Sequence, residues 1–487
     1  MEMSDLLCVF DVGTTGSRTI IFDVNGKEIA RAYKEYPVVK QPVGVSEQDP
    51  KIWWRAIKNT CNQVVKKIDR NDIIGISAGI LRGNSFIIDK NREVLHPSIL
   101  PMDERGVDLQ QEGGMRLAIS NILWLKNEKP DLFSKVYKII FTETYIYMKL
   151  CGSDLLITEP TSAINGIMNR NTLDWDSNLA DRFDLPVDLW PEIHTPGEIL
   201  GELSSEAAGE LGLKSKIPVV LGGGDQQCSA LGMGVINQNQ AKVTMGTYTF
   251  AHLVTGDEPA QPPEGDIPIF PVPHVIKGKW MLEGVMPGTG IALKWFKDNF
   301  SRLQNKECEE KNINTYDALT KEAEEVTAGS EGLLFIPLQI FRKGTIHGLA
   351  WNHSRGHMIR SILESAALSA QMYLGMIEAI ARTKITEVKA DGGGMNSDLW
   401  AQILADVMNK KVIIPEVKDS SALGAAILGF CGCKNYNSID NAIEKMVRFE
   451  KEFNPDKANL KVYKKLNRLF MPAILEIYRK KRVTKGI

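Results

Sequence analysis

At 487 residues the chain is too long for one hydrophobic core, so two domains, or one large and one divided, are expected. Its 58 basic and 60 acidic residues leave a formal charge of −2, and 43% apolar against 24% charged residues is ordinary globular composition, which argues against a general nucleic-acid or membrane-surface binder. The start Met1-Glu2-Met3-Ser4-Asp5 is no secretion signal, no apolar run reaches the roughly 18–20 residues of a spanning helix, and seven scattered cysteines suit a reducing cytoplasm.

In chain order, the opening reads as three strands: an apolar run at 6–12, a second at 18–24 beyond a Gly-Thr turn, and a third at 28–36 after the hairpin dipeptide Asn25-Gly26. Residues 49–68 carry Trp53, Trp54, Ile57, Val64 and Val65 at helical spacing, and further strands are expected at 73–78 and 85–88. The small residues 226–234 should begin a helix. Near Lys242 the opening grammar repeats, with a strand at 243–245, the turn Gly246-Thr247 and a returning strand at 250–254. The stretch 258–273, with six prolines in sixteen residues, reads as irregular. A helix at 357–381, a short strand at 387–390 entering a triple glycine, a helix at 400–408, a strand at 411–415 and a basic amphipathic helix at 467–482 complete the chain. The expected architecture is two α/β domains on one plan, 1–248 and 249–487.

Four glycine-rich turns end strands: Phe10-Asp11-Val12-Gly13-Thr14-Thr15-Gly16-Ser17-Arg18, Leu221-Gly222-Gly223-Gly224-Asp225, Val243-Thr244-Met245-Gly246-Thr247 and Ala390-Asp391-Gly392-Gly393-Gly394-Met395-Asn396. Backbone without side chains lets N–H groups approach a phosphate, so four such turns point to a nucleotide cleft. Thr14 and Thr15 offer hydroxyls and amides to phosphates, and Asp11 offers a carboxylate to the water shell of Mg²⁺; the same residues also fit a plain hairpin. Asp225 by itself fits a helix N-cap, but the three glycines before it clear side chains from around its carboxylate and turn the reading toward a general base for an attacking hydroxyl during phosphoryl transfer. Gly392, Gly393, Gly394 and Asn396 suit either a bare surface for adenosine or a strand-to-helix loop. Arg82 and Asp103 stand in polar loops where they are able to meet substrate hydroxyls or serve as surface charges. Cys431-Gly-Cys433 lacks metal-ligand spacing, and no His-x-x-x-His pair occurs.

Taken in order, these segments resemble the FGGY family of carbohydrate kinases, which includes xylulokinases, gluconokinases, glycerol kinases and autoinducer-2 kinases. The matching pieces are residues 10–18, Ser46-Glu47-Gln48-Asp49-Pro50 with Trp53-Trp54, residues 222–234, Met245-Gly246-Thr247, residues 391–406 and Ala422-Leu423-Gly424-Ala425-Ala426. The resemblance implies two ribonuclease H-like domains of the actin and hexokinase ATPase type, with a cleft between them for ATP and Mg²⁺. It implies Asp225 as catalytic base and substrate contact, and Asp11 as the metal-associated aspartate. It places Gly13, Thr14, Thr15 and Arg18 in the first phosphate turn, Gly246 and Thr247 in the second, and Gly392, Gly393, Gly394 and Asn396 at the adenosine. Leu81, Arg82 and Asp103 fall where members of the family contact the sugar.

The chain departs from the family pattern at Leu81-Arg82-Gly83, at Leu100-Pro101-Met102 ahead of Asp103, in a short segment between Asp103 and Trp124, and after Pro337, where Phe341-Arg342-Lys343-Gly344 replaces a longer loop. The implied function is ATP-dependent phosphorylation of a terminal hydroxyl of a small sugar or polyol, with a ketopentose such as xylulose as substrate. Autoinducer-2, gluconate or glycerol kinases are the alternatives, and a non-catalytic nucleotide sensor is a competing class. Asp225 and Asp11 argue against the sensor, because a module that only binds nucleotide needs no base. A cytoplasmic homodimer acting on a small molecule, without nucleic acid or membrane, completes the expectation.

Overall fold

The structure is a computed structural model that describes residues 5–38, 44–106, 109, 117–263, 269–286, 288–336 and 344–484, the backbone alone at 289 and 475–484. It contains two compact units. The first comprises residues 1–236, 272–279 and 419–447; the second comprises 237–271, 280–418 and 448–487. This division is discontinuous, whereas the sequence offered one cut at 248.

The first unit is built on strands β1 (Leu6–Val12), β2 (Gly16–Asp23), β3 (Glu28–Glu35), β4 (Ile73–Ile80), β5 (Ile199–Glu202), β6 (Pro218–Val220) and β7 (Gly223–Gly224). Their order is β5-β6-β4-β1-β2-β3, with β7 also on β4. The β1–β2–β3 ribbon is antiparallel, β4 is parallel to β1, β6 and β7, and β5 turns back antiparallel. Every residue of β1 is buried, Asp11 included, as the apolar run 6–10 requires of a central strand covered on both faces. The helix Lys51–Val64 covers one face by burying Trp53, Trp54, Ala56, Ile57, Thr60, Cys61 and Val64, the stripe that helical spacing predicts. A segment inserted after β4 builds a smaller core of its own around Ile87, Ile119, Ile122, Phe141 and Trp190.

The second unit repeats the plan. Strands β8 (Ala241–Met245), β9 (Thr249–Gly256), β10 (Ile269–Pro273, whose last two residues are counted with the first unit), β11 (Trp280–Met286), β12 (Glu387–Asp391), β13 (Lys411–Pro415) and β14 (Phe449–Phe453) lie in the order β10-β11-β9-β8-β12-β13-β14. The path β11-β9-β8-β12-β13-β14 has the same sequence of antiparallel and parallel pairings as β3-β2-β1-β4-β6-β5. The helix Arg355–Ala381 buries Ile359, Ile362, Leu363, Ala366 and Leu374 among Val243, Leu253 and Leu282 of this sheet.

Several boundaries move from their sequence positions for identifiable reasons. Helix 355–381 starts two residues early because Ser354 caps it in a capping box with His357. Helix Asp398–Met408 starts two residues early because the Ser397 side chain accepts the Trp400 amide. The stretch 258–273, read as irregular, ends in strand β10; its prolines are tolerated because β10 is an edge strand. The last helix runs over Lys457–Thr484, longer than the 467–482 expected. Among the described residues, no helix is long and apolar enough to cross a membrane.

Candidate functional site

In the first unit, three parallel strands end side by side. Asp11 of β1 is in register with Gly79 of β4, and Gly224 of β7 with Ile80 of β4. The chain beyond these ends carries residues 13–15, Leu81 and Arg82, and Asp225. Carboxyl ends of parallel strands are where α/β sheets place ligands, because the connecting loops diverge there.

The first turn begins with a cross-strand pair. Asp11 and Arg18 face each other in the β1–β2 register, and the Arg18 guanidinium donates to Asp11 Oδ2 at 3.0 Å. Asp419 takes the Arg18 Nε at 3.4 Å and also pairs with Arg31, while Arg18 lies over the Tyr33 ring. Gly16 packs under Tyr33: a methyl there would sit 2.6 Å from the ring carbon Cζ and displace the ring. The Tyr36 hydroxyl donates to the Gly13 carbonyl at 2.6 Å, the Tyr36 amide to the Thr15 carbonyl at 3.0 Å, and Gln48 Nε2 to the Thr14 carbonyl at 2.7 Å. Burial, with the nearby Asp11 carboxylate, pushes the Tyr36 phenol well above its usual range, so it remains a donor. All three carbonyls of the turn are therefore engaged, and what it can offer an anion is the amides and hydroxyls of half-buried Thr14 and exposed Thr15.

The second turn is tighter. Each of its three glycines lies against a different neighbour: a methyl on Gly222 would strike the Ala78 backbone, one on Gly223 the Val275 side chain, and one on Gly224 the Arg82 and Thr161 side chains. Close approach, not positive φ, is the reason for the triplet. Asp225 is the first residue of the helix Asp225–Gly232, and the N-cap is Gly224, so the N-cap reading of Asp225 does not hold. Its Oδ1 accepts the Gln226 amide at 2.8 Å and lies 4.0 Å from Arg82 Nε; the Asp225 side chain is 32% exposed and that of Arg82 9%. Leu81 is part of the hydrophobic core. The helix Ser420–Gly432 packs on helix 225–232 through two glycines, Gly232 against Ser420 and Gly424 against Cys228, which explains the small residues of Ala422-Leu423-Gly424-Ala425-Ala426.

Asp103 stands apart from this group in the inserted segment. Its side chain is fully buried. Oδ1 accepts the Arg105 amide at 3.0 Å and Nε at 2.9 Å, and Oδ2 accepts the Ser46 amide at 2.7 Å and Arg105 Nη2 at 2.8 Å. Arg105 also donates to Glu47 at 2.6 Å and stacks 4.0 Å over Trp124. Both Asp103 oxygens thus hold Arg105 and residue 46. The short segment after Asp103 falls partly, at 107–108 and 110–116, outside the described residues, as do residues 337–343 of the segment after Pro337.

In the second unit the structure brings Gly246 and Thr247 together with the triple glycine. β8 and β12 are parallel neighbours, and Thr244 donates to Asp391 at 2.5 Å across their ends. Gly392 has φ 91° and lies against Met245, whose carbonyl oxygen would be 2.6 Å from a methyl there. Gly393, Asn396 and Thr247 are exposed. Gly290, in the first turn of helix Thr289–Phe300, presses on Gly246 so closely that no side chain fits, bringing a helix N-terminus to the turn.

Beneath the Asp225 turn lie residues that sequence reasoning missed. The Gly222 amide donates to the Tyr147 hydroxyl at 2.7 Å and the Gly224 amide to Thr161 Oγ1 at 2.9 Å. Glu159 caps the short helix Pro160–Ala163, a role that Glu before Pro makes legible; no sequence signal links it to Gly224. Buried Glu143 lies near Glu159; its burial and the Glu159 charge push its carboxyl up to about 8 against the Thr158 and Ser162 hydroxyls. Burial likewise pushes Glu159 up, and the Thr161 and Ser162 bonds and the Arg82 charge pull it back. Among the described residues no cluster of three His, Cys, Asp or Glu could hold a metal, so a divalent ion would rest on at most two such side chains with water and phosphates, as Mg²⁺ commonly does.

The sequence matches the FGGY family of carbohydrate kinases, N-terminal domain, at residues 6–113 and 114–232, and the C-terminal domain of the same family at 241–433. It is 27% identical to gluconokinase of Bacillus subtilis (strain 168), covering 96% of this chain and 95% of that one. It is 29% identical to autoinducer-2 kinase of Yersinia pseudotuberculosis serotype O:3 (strain YPIII), covering 94% and 92%. The fold is similar to the crystal structure of ligand-bound xylulose kinase from Lactobacillus acidophilus, with TM-score 0.84, 25% identity and coverage of 97% and 98%.

Proposed function

We propose a reaction for this chain, which belongs to the FGGY family of carbohydrate kinases, enzymes that phosphorylate sugar or polyol hydroxyls: it transfers the γ-phosphate of ATP to the terminal hydroxyl of a small open-chain sugar, a ketopentose such as xylulose. The observation that carries it is the meeting of Asp11, Arg82 and Asp225 at three adjacent strand ends, beside a turn whose carbonyls are all engaged. The substrate hydroxyl attacks the γ-phosphorus in line; its proton passes to an Asp225 carboxylate oxygen, the new O–P bond forms, and the bond to the bridging oxygen breaks to release ADP. Arg82, 4.0 Å from that carboxylate, contacts the sugar, and Leu81 and Asp103 contribute to the sugar side.

Thr14 and Thr15 receive phosphate oxygens, with Gly13 and Arg18 setting the turn. Gly246 and Thr247 form the second phosphate turn, and Gly392, Gly393, Gly394 and Asn396 lie against adenosine. Asp11, with Oδ2 held by Arg18, would hold the water shell of Mg²⁺, which when bound draws charge from the phosphate oxygens. We take the working form to be a cytoplasmic homodimer with neither nucleic acid nor membrane as partner.

A second reading, gluconate or the autoinducer-2 precursor as substrate, is favoured by the relatives at 27% and 29% identity. ADP release from Mg-ATP, measured with D-xylulose, D-ribulose, gluconate, glycerol, erythritol and that precursor, chooses among them. Asp225→Asn should keep the fold and lose about 10²–10⁴-fold in kcat; turnover near wild type in that variant removes the base assignment. ATP binding with no sugar-stimulated ADP release would favour a nucleotide sensor.

A further inference from the structure

The peptide that presents Asp225 is gripped from below by a buried relay. Glu159, Thr161 and Gly224 are all buried, and Thr161 Oγ1 is the middle member: it donates to Glu159 Oε1 at 2.6 Å and accepts the Gly224 amide at 2.9 Å. The polarity is forced, because an N–H can only donate and leaves the hydroxyl proton for the carboxylate. Glu159 is itself pinned by the Thr161 amide at 2.6 Å and the Ser162 amide at 3.1 Å. The grip is steric as well. The Thr161 and Arg82 side chains both press on the face of Gly224 where a side chain would stand, so closely that a methyl would lie 2.6 Å from Thr161 Oγ1 and nearer still to Arg82 Cδ. A shift of Thr161 therefore carries the Gly224 amide with it, and with that peptide the carboxylate one residue on.

We propose that Thr161 and Glu159 are positioning residues for phosphoryl transfer, locking the Gly224 amide so that the Asp225 carboxylate meets the attacking hydroxyl. The proposal rests on the reading of Asp225 as the base. Fold alone asks only that the Gly224 amide find an acceptor. The relay does more, tying that amide, next in sequence to the Asp225 whose Oδ1 stands 4.0 Å from Arg82, through Thr161 to a buried, doubly pinned carboxylate. Misplacement of a reacting group by about 1 Å costs roughly 100-fold in rate, so a lock of this kind should be visible in turnover.

The test uses the full chain, Mg-ATP and D-xylulose, or gluconate where that supports faster turnover. Thr161→Val keeps the shape and removes both bonds of the relay; kcat should fall about 100-fold while KM for ATP stays within two-fold or so. Thr161→Ser keeps the hydroxyl and should retain activity within a few-fold. Combining Thr161→Val with Asp225→Asn should cost little beyond Asp225→Asn alone, because the lock has nothing left to aim. If Thr161→Val does not fold, Glu159→Gln, which turns one acceptor oxygen into a donor facing another donor, is read in the same way. Wild-type kcat in Thr161→Val beside an inactive Asp225→Asn overturns the proposal alone, and so does a full additional loss in the double variant. Undiminished turnover in Asp225→Asn removes the base reading, and the proposal falls with it.

Discussion

Gly424→Ala tests how the helix that begins with Asp225 is seated. A methyl at Gly424 would sit 2.6 Å from the Cys228 carbonyl carbon and closer to its oxygen, and Cys228 lies in helix 225–232, three residues after Asp225. Contact between carbon atoms needs about 3.5 Å, so one helix must retreat by about 1 Å. Overpacking of this kind costs about 1–3 kcal/mol, and replacing a helical glycine by alanine returns about 1 kcal/mol, leaving a net loss of up to about 2 kcal/mol. For a domain of this size that is a fall in Tm of up to roughly 8 °C. The same 1 Å shift at Asp225 should lower kcat by up to about 100-fold. Gly209→Ala is the control: it is a helical glycine of the same unit with nothing within 4 Å, so it should be neutral or stabilising by up to about 1 kcal/mol. Thermal unfolding followed by circular dichroism, with ADP release measured alongside, reads both effects. A Gly424→Ala protein that melts at or above wild type with unchanged kcat would refute the glycine-contact reasoning.

Two further substitutions probe buried polar groups. The Glu143 carboxyl, pushed up to about 8 by burial and by Glu159, binds its proton more tightly in the folded chain than in the unfolded one. Its contribution is therefore fully present below about pH 4.5, declines as pH rises because only the unfolded chain ionises, and levels off above about 8. Glu143→Gln should flatten the fall in urea-unfolding stability between pH 5 and 8 by a few kcal/mol; parallel pH profiles for the two proteins would contradict this. Gln48→Glu replaces the amide that donates to the Thr14 and Pro37 carbonyls with a carboxylate facing both oxygens. It should cost about 1–3 kcal/mol and raise KM for ATP, and an unchanged KM would separate Gln48 from the phosphate turn.

Much of the fold was legible because its strands are local statements. β1 and β13 fall residue for residue at 6–12 and 411–415, since a strand buried on both faces needs only an apolar run. The repeated plan was visible in the recurrence of strand, Gly-Thr turn and strand near Lys242, and both copies have the same pairing pattern. Errors gathered at helix starts, where Ser354 and Ser397 decide by side-chain caps, and in the proline-rich stretch, where edge position rescued a strand.

By itself, then, the chain determined its elements, its duplication and the four glycine turns, because each is written in neighbouring residues as periodicity or as missing side chains. Only the tertiary structure decided what those turns touch. Thr161 reaches Gly224 across 63 residues, and Gly424 reaches Cys228 from a helix that belongs to the first unit although it comes late in the chain. Asp103 reads in sequence as a free polar loop residue, yet folding commits both its oxygens to Arg105 and residue 46. Such contacts join segments that share no period and no spacing, and a hydrogen bond between them exists only once the sheet has set their distance.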